Sequence, residues 1–592
     1  MLGKRPEQGS FFEADAQYLE TVGRQSFYGF LAELRGQLFR DEEFADFYDS
    51  RGRGRPSVPP SLLATALLLQ TYDRVSDEEA MERAAFDLRW KVALGIAIEH
   101  RPFAKSTLQL FRAQLVVHEQ AAAIFRKSLA LARERGFVTR NRKMRVALDT
   151  THILGRGAVK DTYNLLSDGI VLVLRQLATL AGETLPDYAR ARGLERYVSE
   201  RSLKGEAELN WDSASERTRL LREIVADADG VLGEVRTVQA GLAEGDAARL
   251  EEAAQRLNQV LLQDIERDET GALLRRGVAP DRMPAVHDPE VRHGHKSAHK
   301  RFDGHKAQIA VDTESQLITA VAVLAGNAAD HSGALALVEA AEDNSATAVA
   351  ETVADCAFGD GATRQQFADA GRPLVARVAA MRNQGRFPKT AFEIDLQELT
   401  CRCPAGEQGV ACYARPQSEG TERRLRGFRF AAARCAACPL RPQCVGGRGG
   451  RSIAIHPQES LLQAARAFQA SPDFAPYKRA RQAVEHRLAR LVQLGVRQAR
   501  YVGRAKTLLQ LLLAAAVANL TLLAGHRGAA EDGSDGPLHP LMLILALATA
   551  ASARISTGSA ALALFAPRLA PAILSLRLTA TPPQMAPSRP RF

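Results

Sequence analysis

Apolar positions in the first 140 residues come in runs that read as helices. Ser61 follows Pro59-Pro60 and opens the run LLATALLLQTY, so a helix with a serine cap is expected there. DRVSDEEAMERAAFD predicts a second helix. KSTLQLFRAQLVVHEQAAAIFRKSLALARERG predicts a longer third, capped at Ser106. The pattern then changes period. MRVALDTTHIL, Met144 to Leu154, sets β-branched and apolar residues around one acid and predicts a strand carrying Asp149 at or near its end. Further on, Leu221, Ile224, Ala228, Val231, Val235, Val238 and Leu242 step alternately by three and four, a heptad seam. GLAEGD breaks it, and Ala247 to Ile265 predicts the returning helix of a hairpin, with Leu250, Leu257 and Leu261 on its seam.

Strand patterning resumes in FDGHKAQIAVDTESQLITAVAVLAG, where two alternating runs flank Asp312-Thr313-Glu314-Ser315, the chemistry of a hairpin turn. AVAETVADCAFGD predicts a buried strand ending in Asp355, with a helix (GATRQQFADAG) and another strand (PLVARV) after it. A cysteine-rich stretch comes next. From Ser460 the pattern is helical again, through SLLQAARAFQA and YKRARQAVEHRLARLVQL to the very apolar LLQLLLAAAVANLTLLAG. GHRGAAEDGSDGPLHP has linker composition, and the Ala/Leu/Pro-rich residues after it show no clear period.

Composition narrows the class. A chain of 592 residues predicts three or four domains, and 46% hydrophobic with 25% charged residues suits a soluble globular protein. The formal net charge of +10 points to an anionic partner, nucleic acid being the commonest. Met1 to Ala16 mixes charges with no apolar run, so no secretory leader is expected. Leu541 to Ala553 is the nearest approach to a membrane segment, and it is short of the roughly 20 residues a span needs. Six of the seven cysteines lie between Cys401 and Cys444. In a cytoplasmic protein that clustering reads as a metal site rather than a disulfide framework.

Three acids stand out together. Asp149 and Asp355 close predicted strands, and Glu485 lies in a predicted helix. For any one of them the ordinary alternative is a solvated surface carboxylate. An acid closing a buried strand is costly unless paired. Phosphodiester cleavage needs charge neutralised on the attacking and leaving oxygens, which paired Mg²⁺ ions do, and Mg²⁺ takes few protein ligands, chiefly carboxylates. From Tyr477 to Lys506 Glu485 is the only acid among nine basic residues: Lys478, Arg479, Arg481, Arg487, Arg490, Arg497, Arg500, Arg504 and Lys506. Those cations suit a phosphate backbone, or equally the basic face of any DNA-binding helix. Arg481 precedes Glu485 by four residues, on the same helix face.

A second constellation is Cys435-x2-Cys438, a spacing that puts two thiolates on one tetrahedral ion. Structural zinc held by Cys403, Cys435, Cys438 and Cys444 is the expected set, with Cys401, Cys412 or His456 as substitutes. The alternative is reduced free thiols. Cys356 is expected to be a small buried residue beside Asp355. His287, His293, His295, His299 and His305 crowd a basic stretch, read as a cationic loop that meets DNA rather than as a metal site; Lys300, Arg301 and Lys306 are its candidate DNA contacts. Arg481, Arg490, Arg504 and Lys506 are the candidates from the later segment.

The blocks ALDTTHILGRGAVKDTYNLLSDG, DPEVRHGHKSAHKRFDGHKAQIAVD, VADCAFGDGATR, CPAGE, CAACPLRPQC and ARQAVEHRLARLVQLGVRQARYVGRAKTLLQLLLAAAVANL resemble, in order, those of bacterial insertion-sequence DDE transposases. The upstream RGRPSVPPSLLATALLLQTYDRVSDEEAMERAAFDLRWKVALG resembles their N-terminal helical domain. The resemblance runs from about Arg53 to Gly525. It implies an α/β fold: a ribonuclease H-like mixed sheet with a helical N-terminal domain, a helical insertion and a small zinc-ribbon-like insertion. On that pattern the acids fall on Asp149, Asp355 and Glu485, with Arg481 as the arginine before the glutamate. Tyr477 stands four residues before Arg481 where the pattern has three. Val492 stands where it has a basic residue seven after the glutamate, with Arg490 nearby.

The expected organisation is a DNA-binding domain over 1–140, a catalytic core from 141–164 and 283–399, and a helical insertion over 165–282. A cysteine insertion over 400–456, core helices over 457–525 and a tail over 526–592 complete it. The implied activity is cleavage at terminal inverted repeats and strand transfer into target duplex DNA. It would use two Mg²⁺ (or Mn²⁺) ions, in a homodimer or higher oligomer on DNA, with no membrane partner. The alternatives are a ribonuclease H-like nuclease that does not join strands, or an inactive zinc-containing DNA-binding derivative.

Overall fold

The computed structural model describes residues 1–5, 14–49, 55–138, 142–206, 209–297, 299–414 and 425–531. The chain divides into two compact units, Met1–Gly525 and His526–Phe592. Nearly all of the second, including the apolar stretch from Leu541, lies outside the described residues.

A six-stranded mixed sheet lies within the first unit. Its strands are β1 (Met144–Leu154), β2 (Arg292–Ser297), β3 (Lys300–Asp312), β4 (Ile318–Ala325), β5 (Val349–Ala354) and β6 (Leu374–Ala376). β1 is central, antiparallel to β3 and parallel to β5. β2 and β4 both pair antiparallel with β3, and β6 pairs parallel with β5. The turn between β3 and β4 forms where Asp312 accepts from the Ser315 amide (3.1 Å) and hydroxyl (2.5 Å). Alternation along the strands sorts the two faces. Val146, Leu148 and Ala310 pack with Leu337, Val338 and Phe367 of the helices Ala334–Ser345 and Gly361–Asp369. Ala147, Ile153, Ile309 and Val311 face the other way, into a core shared with Val484 and Leu491 of the Gln482–Gln493 helix.

That second core also takes in the N-terminal helices, through the last helix, Arg504–Glu531. Every residue from Leu511 to Leu520 is buried, so the helix is apolar all round because it is surrounded by protein. Each fully buried leucine in it contributes roughly 1.5–3 kcal/mol. Its one interior amide, Asn519, is satisfied: it accepts from the Ile318 amide and donates to the Ile318 carbonyl, both at 2.9 Å. This helix and Thr162–Ala181 are long and apolar enough to cross a membrane by length and composition, and both are substantially buried inside the protein. The segment after β1 builds a separate core from Thr162–Ala181, Ala214–Val238 and Glu244–Asp264, with Leu221, Ile224, Ala228, Val231 and Val235 buried along the seam.

Three boundary expectations need correction. The helix after Pro59-Pro60 spans Pro60–Asp73 and is capped from a distance: Asp41 accepts from the Ser61 amide at 2.9 Å, and the Ser61 hydroxyl accepts from Arg5 instead. The long third helix is two, Lys105–Val117 and Ala121–Glu134, begun at Ala104 rather than Ser106 and interrupted where Glu119 turns left-handed at φ 53°. YKRARQAVEHRLARLVQL likewise divides, into Ala475–Ala480 and Gln482–Gln493, with Arg481 at the junction.

Candidate active site

Asp149 is the sixth of the eleven residues of β1, on the face covered by the Gln482–Gln493 helix, rather than at the strand's end. It sits where the parallel ladder runs out. Ala147 lies beside Val353 in that ladder, and two residues further along the two chains come Asp149 and Asp355. Asp355 follows β5 directly and caps the short turn Cys356–Phe358, accepting from the Ala357 amide at 2.9 Å. Glu485 stands on the first turn of the Gln482–Gln493 helix, its side chain 48% exposed.

The electrostatics tie the three acids together. The Asp149 carboxyl is pushed up to about 6, first by burial and further by Asp355 and Glu485, while the Thr150 amide and Arg481 oppose the rise. Arg481 lies between two of these acids: its guanidinium is 3.5 Å from Asp149 and ion-paired with Glu485. Tyr477 stacks under Arg145, 5.1 Å from ring centre to guanidinium, and Arg145 pairs with Glu351 of β5 at 2.7 Å. At the far end of β1, Arg497 donates to the Thr151 hydroxyl and to the His152 carbonyl, each at 3.0 Å. Burial, reinforced by Arg497, Lys296 and Lys300, pushes His152 down to about 4, so it is neutral at neutral pH.

The basic residues of the later segment do different things. Arg487 is buried and donates to the Ala518 carbonyl at 2.6 Å, burial pushing its guanidinium down to about 10. Arg500 turns to Asp77, Arg504 pairs with Glu290 at 2.8 Å, and Arg490 donates to Gln493. Lys506 is exposed, as are Lys300 and Arg301 on the β2–β3 arm. Lys306 turns inward, 12% exposed, to Asp330 and the Ala328 carbonyl at 2.7 Å each.

Cys403, Cys435, Cys438 and Cys444 line one cavity of about 50 Å³. Burial raises the Cys444 thiol, and Cys435, Cys403 and Cys438 each add to the rise. Cys401 is instead buried in the small core of that segment with Phe428 and Ile453. Cys356 is exposed, because the turn that Asp355 caps carries it outward; the buried position expected for it is corrected. Among the described residues no three His, Cys, Asp or Glu side chains are arranged to hold a metal ion. In the acidic site Arg481 pairs with both Asp149 and Glu485.

His331, against the turn that carries Asp355, and Asp330 before it are not among the residues that the sequence pattern singles out. Their signal is positional only: loops entering or leaving the sheet that carries the two aspartates.

The fold is thus a mixed α/β protein with acids gathered where parallel strands end. Two family models match the chain, "Transposase DDE domain" over residues 402–524 and "Transposase domain (DUF772)" over residues 19–114. These matches support an insertion-sequence DDE transposase. The first match includes Glu485 and the four cavity cysteines; β1 and β5, with the two aspartates, lie outside both. Among curated proteins and among solved structures, none matches the chain.

Proposed function

We propose that the chain cleaves DNA at the terminal inverted repeats of its element and joins the freed ends to target duplex. Asp149, Asp355 and Glu485 are the catalytic carboxylates, on a ribonuclease H-like core. One observation carries this reading: two aspartates come level at the ends of adjacent parallel strands under a helix bearing a glutamate, and burial, with the neighbouring acids adding to it, lifts the Asp149 carboxyl to about 6. Such a site favours added positive charge. Three carboxylates offering oxygen donors suit Mg²⁺ or Mn²⁺, provided that Glu485 releases Arg481. Bound divalent ions supply Lewis acidity and neutralise charge on the attacking and leaving oxygens. The protein's own part is placement. The Thr150 and Ala357 amides orient the two aspartates, and Arg481 balances the acids until DNA arrives. Water attacks the phosphodiester at the element's end and the 3′-hydroxyl leaves. That hydroxyl then attacks a target phosphodiester in line, and the target strand's own 3′-hydroxyl leaves. Lys300, Arg301, Arg490, Arg504 and Lys506 are proposed backbone contacts, in a homodimer or higher oligomer. Lys306, already paired with Asp330, and Arg504, paired with Glu290, serve that role only if they leave their partners.

The test is cleavage of a plasmid carrying the flanking ends. Wild type is expected to cut with Mg²⁺, while Asp149→Asn, Asp355→Asn and Glu485→Gln lose cutting yet retain DNA binding. An Asp149→Asn protein that still cuts defeats the assignment. Joining of pre-cut ends to a second plasmid separates a transposase from a nuclease.

Cys403, Cys435, Cys438 and Cys444 form a proposed structural zinc site. What supports it is their common cavity in a segment with a small apolar core of its own. The protein is expected to carry about one zinc per chain, lost in Cys435→Ser/Cys438→Ser. Metal-free protein with an unchanged unfolding midpoint contradicts this.

A further inference from the structure

The loop between β4 and the Ala334–Ser345 helix is held unusually firmly for a connection at a sheet end. Lys306 of β3 donates to the Ala328 carbonyl and pairs with Asp330, each at 2.7 Å. Gln308, two residues along the same strand, donates to the Asp330 carbonyl at 2.7 Å. Both belong to the strand that pairs with β1, Lys306 opposite His152 and Gln308 opposite Thr150, the residue next to Asp149. Asp330 is therefore fixed by its side chain and its main chain, and the next residue, His331, is delivered to a set position.

That position is the turn carrying Asp355. His331 Nδ1 lies 3.1 Å from the Ala357 carbonyl oxygen and 3.3 Å from Asp360 Oδ2. Both neighbours are acceptors, so Nδ1 carries the hydrogen and donates. Ala357 is then bound on both sides of its residue: its amide donates to Asp355 at 2.9 Å, and its carbonyl accepts from His331. Asp360 anchors the far end of the turn by accepting from the Ala362 and Thr363 amides, both at 3.0 Å. The His331 side chain is 36% exposed. Its evident work is the hydrogen bond.

We propose that His331 is a positioning residue that orients the Asp355 carboxylate for divalent-metal binding, by holding the carbonyl of Ala357, the residue from whose amide that carboxylate accepts. The inference rests on Asp355 being a metal ligand. Partners that orient ligating carboxylates typically matter by 10–100-fold in metal affinity or activity, and small displacements of reacting groups are costly.

The experiment is Mn²⁺ binding to the full chain, read from the free-ion electron paramagnetic resonance signal. Metal-free thermal unfolding and cleavage against Mg²⁺ concentration run beside it. His331→Ala is expected to weaken Mn²⁺ binding by roughly tenfold or more and to raise the Mg²⁺ needed for half-maximal cleavage, with the metal-free midpoint unchanged. His331→Asn, whose side-chain amide donates from nearly the place of Nδ1, is expected to restore most of the affinity. Wild-type Mn²⁺ affinity in His331→Ala overturns the proposal. So does a loss that accompanies a lowered midpoint and is not recovered by His331→Asn, since that is a structural role. Asp355→Asn separates the two levels: if it binds Mn²⁺ as wild type does, the ligand assignment has failed rather than the role of His331.

Discussion

Replacing Asp149 with asparagine is expected to destroy activity and stabilise the protein. In the folded chain burial and two neighbouring acids raise this carboxyl from its ordinary 3.8 to about 6. Ionising it at neutral pH therefore costs about 3 kcal/mol relative to the unfolded chain. The sign follows from proton uptake. Below about pH 3.8 the carboxyl is neutral in both states and costs nothing. Between there and about pH 6 the folded protein keeps a proton that the unfolded chain has released, so stability falls as pH rises. Above about 6 the whole penalty is present. Asparagine carries no charge, and its carbonyl retains the bond from the Thr150 amide, 2.7 Å in the wild type.

Asp149→Asn should thus match wild type near pH 4 and exceed it by up to ~3 kcal/mol at pH 8. If Met1–Gly525 unfolds as one unit, that is roughly 3 °C in midpoint. Urea and thermal unfolding in EDTA at pH 5, 6, 7 and 8 measure the difference. Added Mg²⁺ should close the gap by stabilising wild type alone. A variant less stable at pH 8, or a difference that does not change between pH 5 and 8, refutes the picture of a strained, metal-seeking carboxylate.

Asn519→Leu leaves the buried Ile318 amide and carbonyl without their partner, and a loss of about 2–4 kcal/mol is expected in chemical denaturation; a cost under about 1 kcal/mol shows that the helix does not depend on this amide. Lys506→Ala should lower the slope of log affinity against log salt by about 1 on nonspecific duplex DNA. Arg487→Met should leave that slope unchanged, because Arg487 is committed to the Ala518 carbonyl; a lower slope for Arg487→Met contradicts the buried assignment.

Much of the architecture was legible in local pattern. Alternating runs located β3 and β4, and apolar, β-branched stretches each carrying one acid located β1 and β5. The heptad seam of Ala214–Val238 and the turn chemistry at Asp312 were equally local. Helix ends were less legible. Ser61 gave way to Asp41, which reaches the free amide from another element, and the helix expected to be capped at Ser106 starts at Ala104 with no side-chain cap.

The site divides in the same way. Sequence singled out Asp149, Asp355 and Glu485 by their residue types and element ends, and Arg481 by its spacing of four. Which face each acid occupies follows from the parallel register of β1 with β5 and from the helix that covers it. Among the nine cations around Glu485, sequence held no distinction between Arg487 in the core, Arg504 on Glu290 and Lys506 in solvent; packing made it. His331 was invisible for the same reason, as its role comes from Lys306 and Gln308 fixing a loop against a turn distant in sequence. Composition and periodicity thus determine which elements form and which residue types are at hand. Long-range pairing alone decides which charges meet, because their energies depend on separations and burial that exist only once the sheet is assembled.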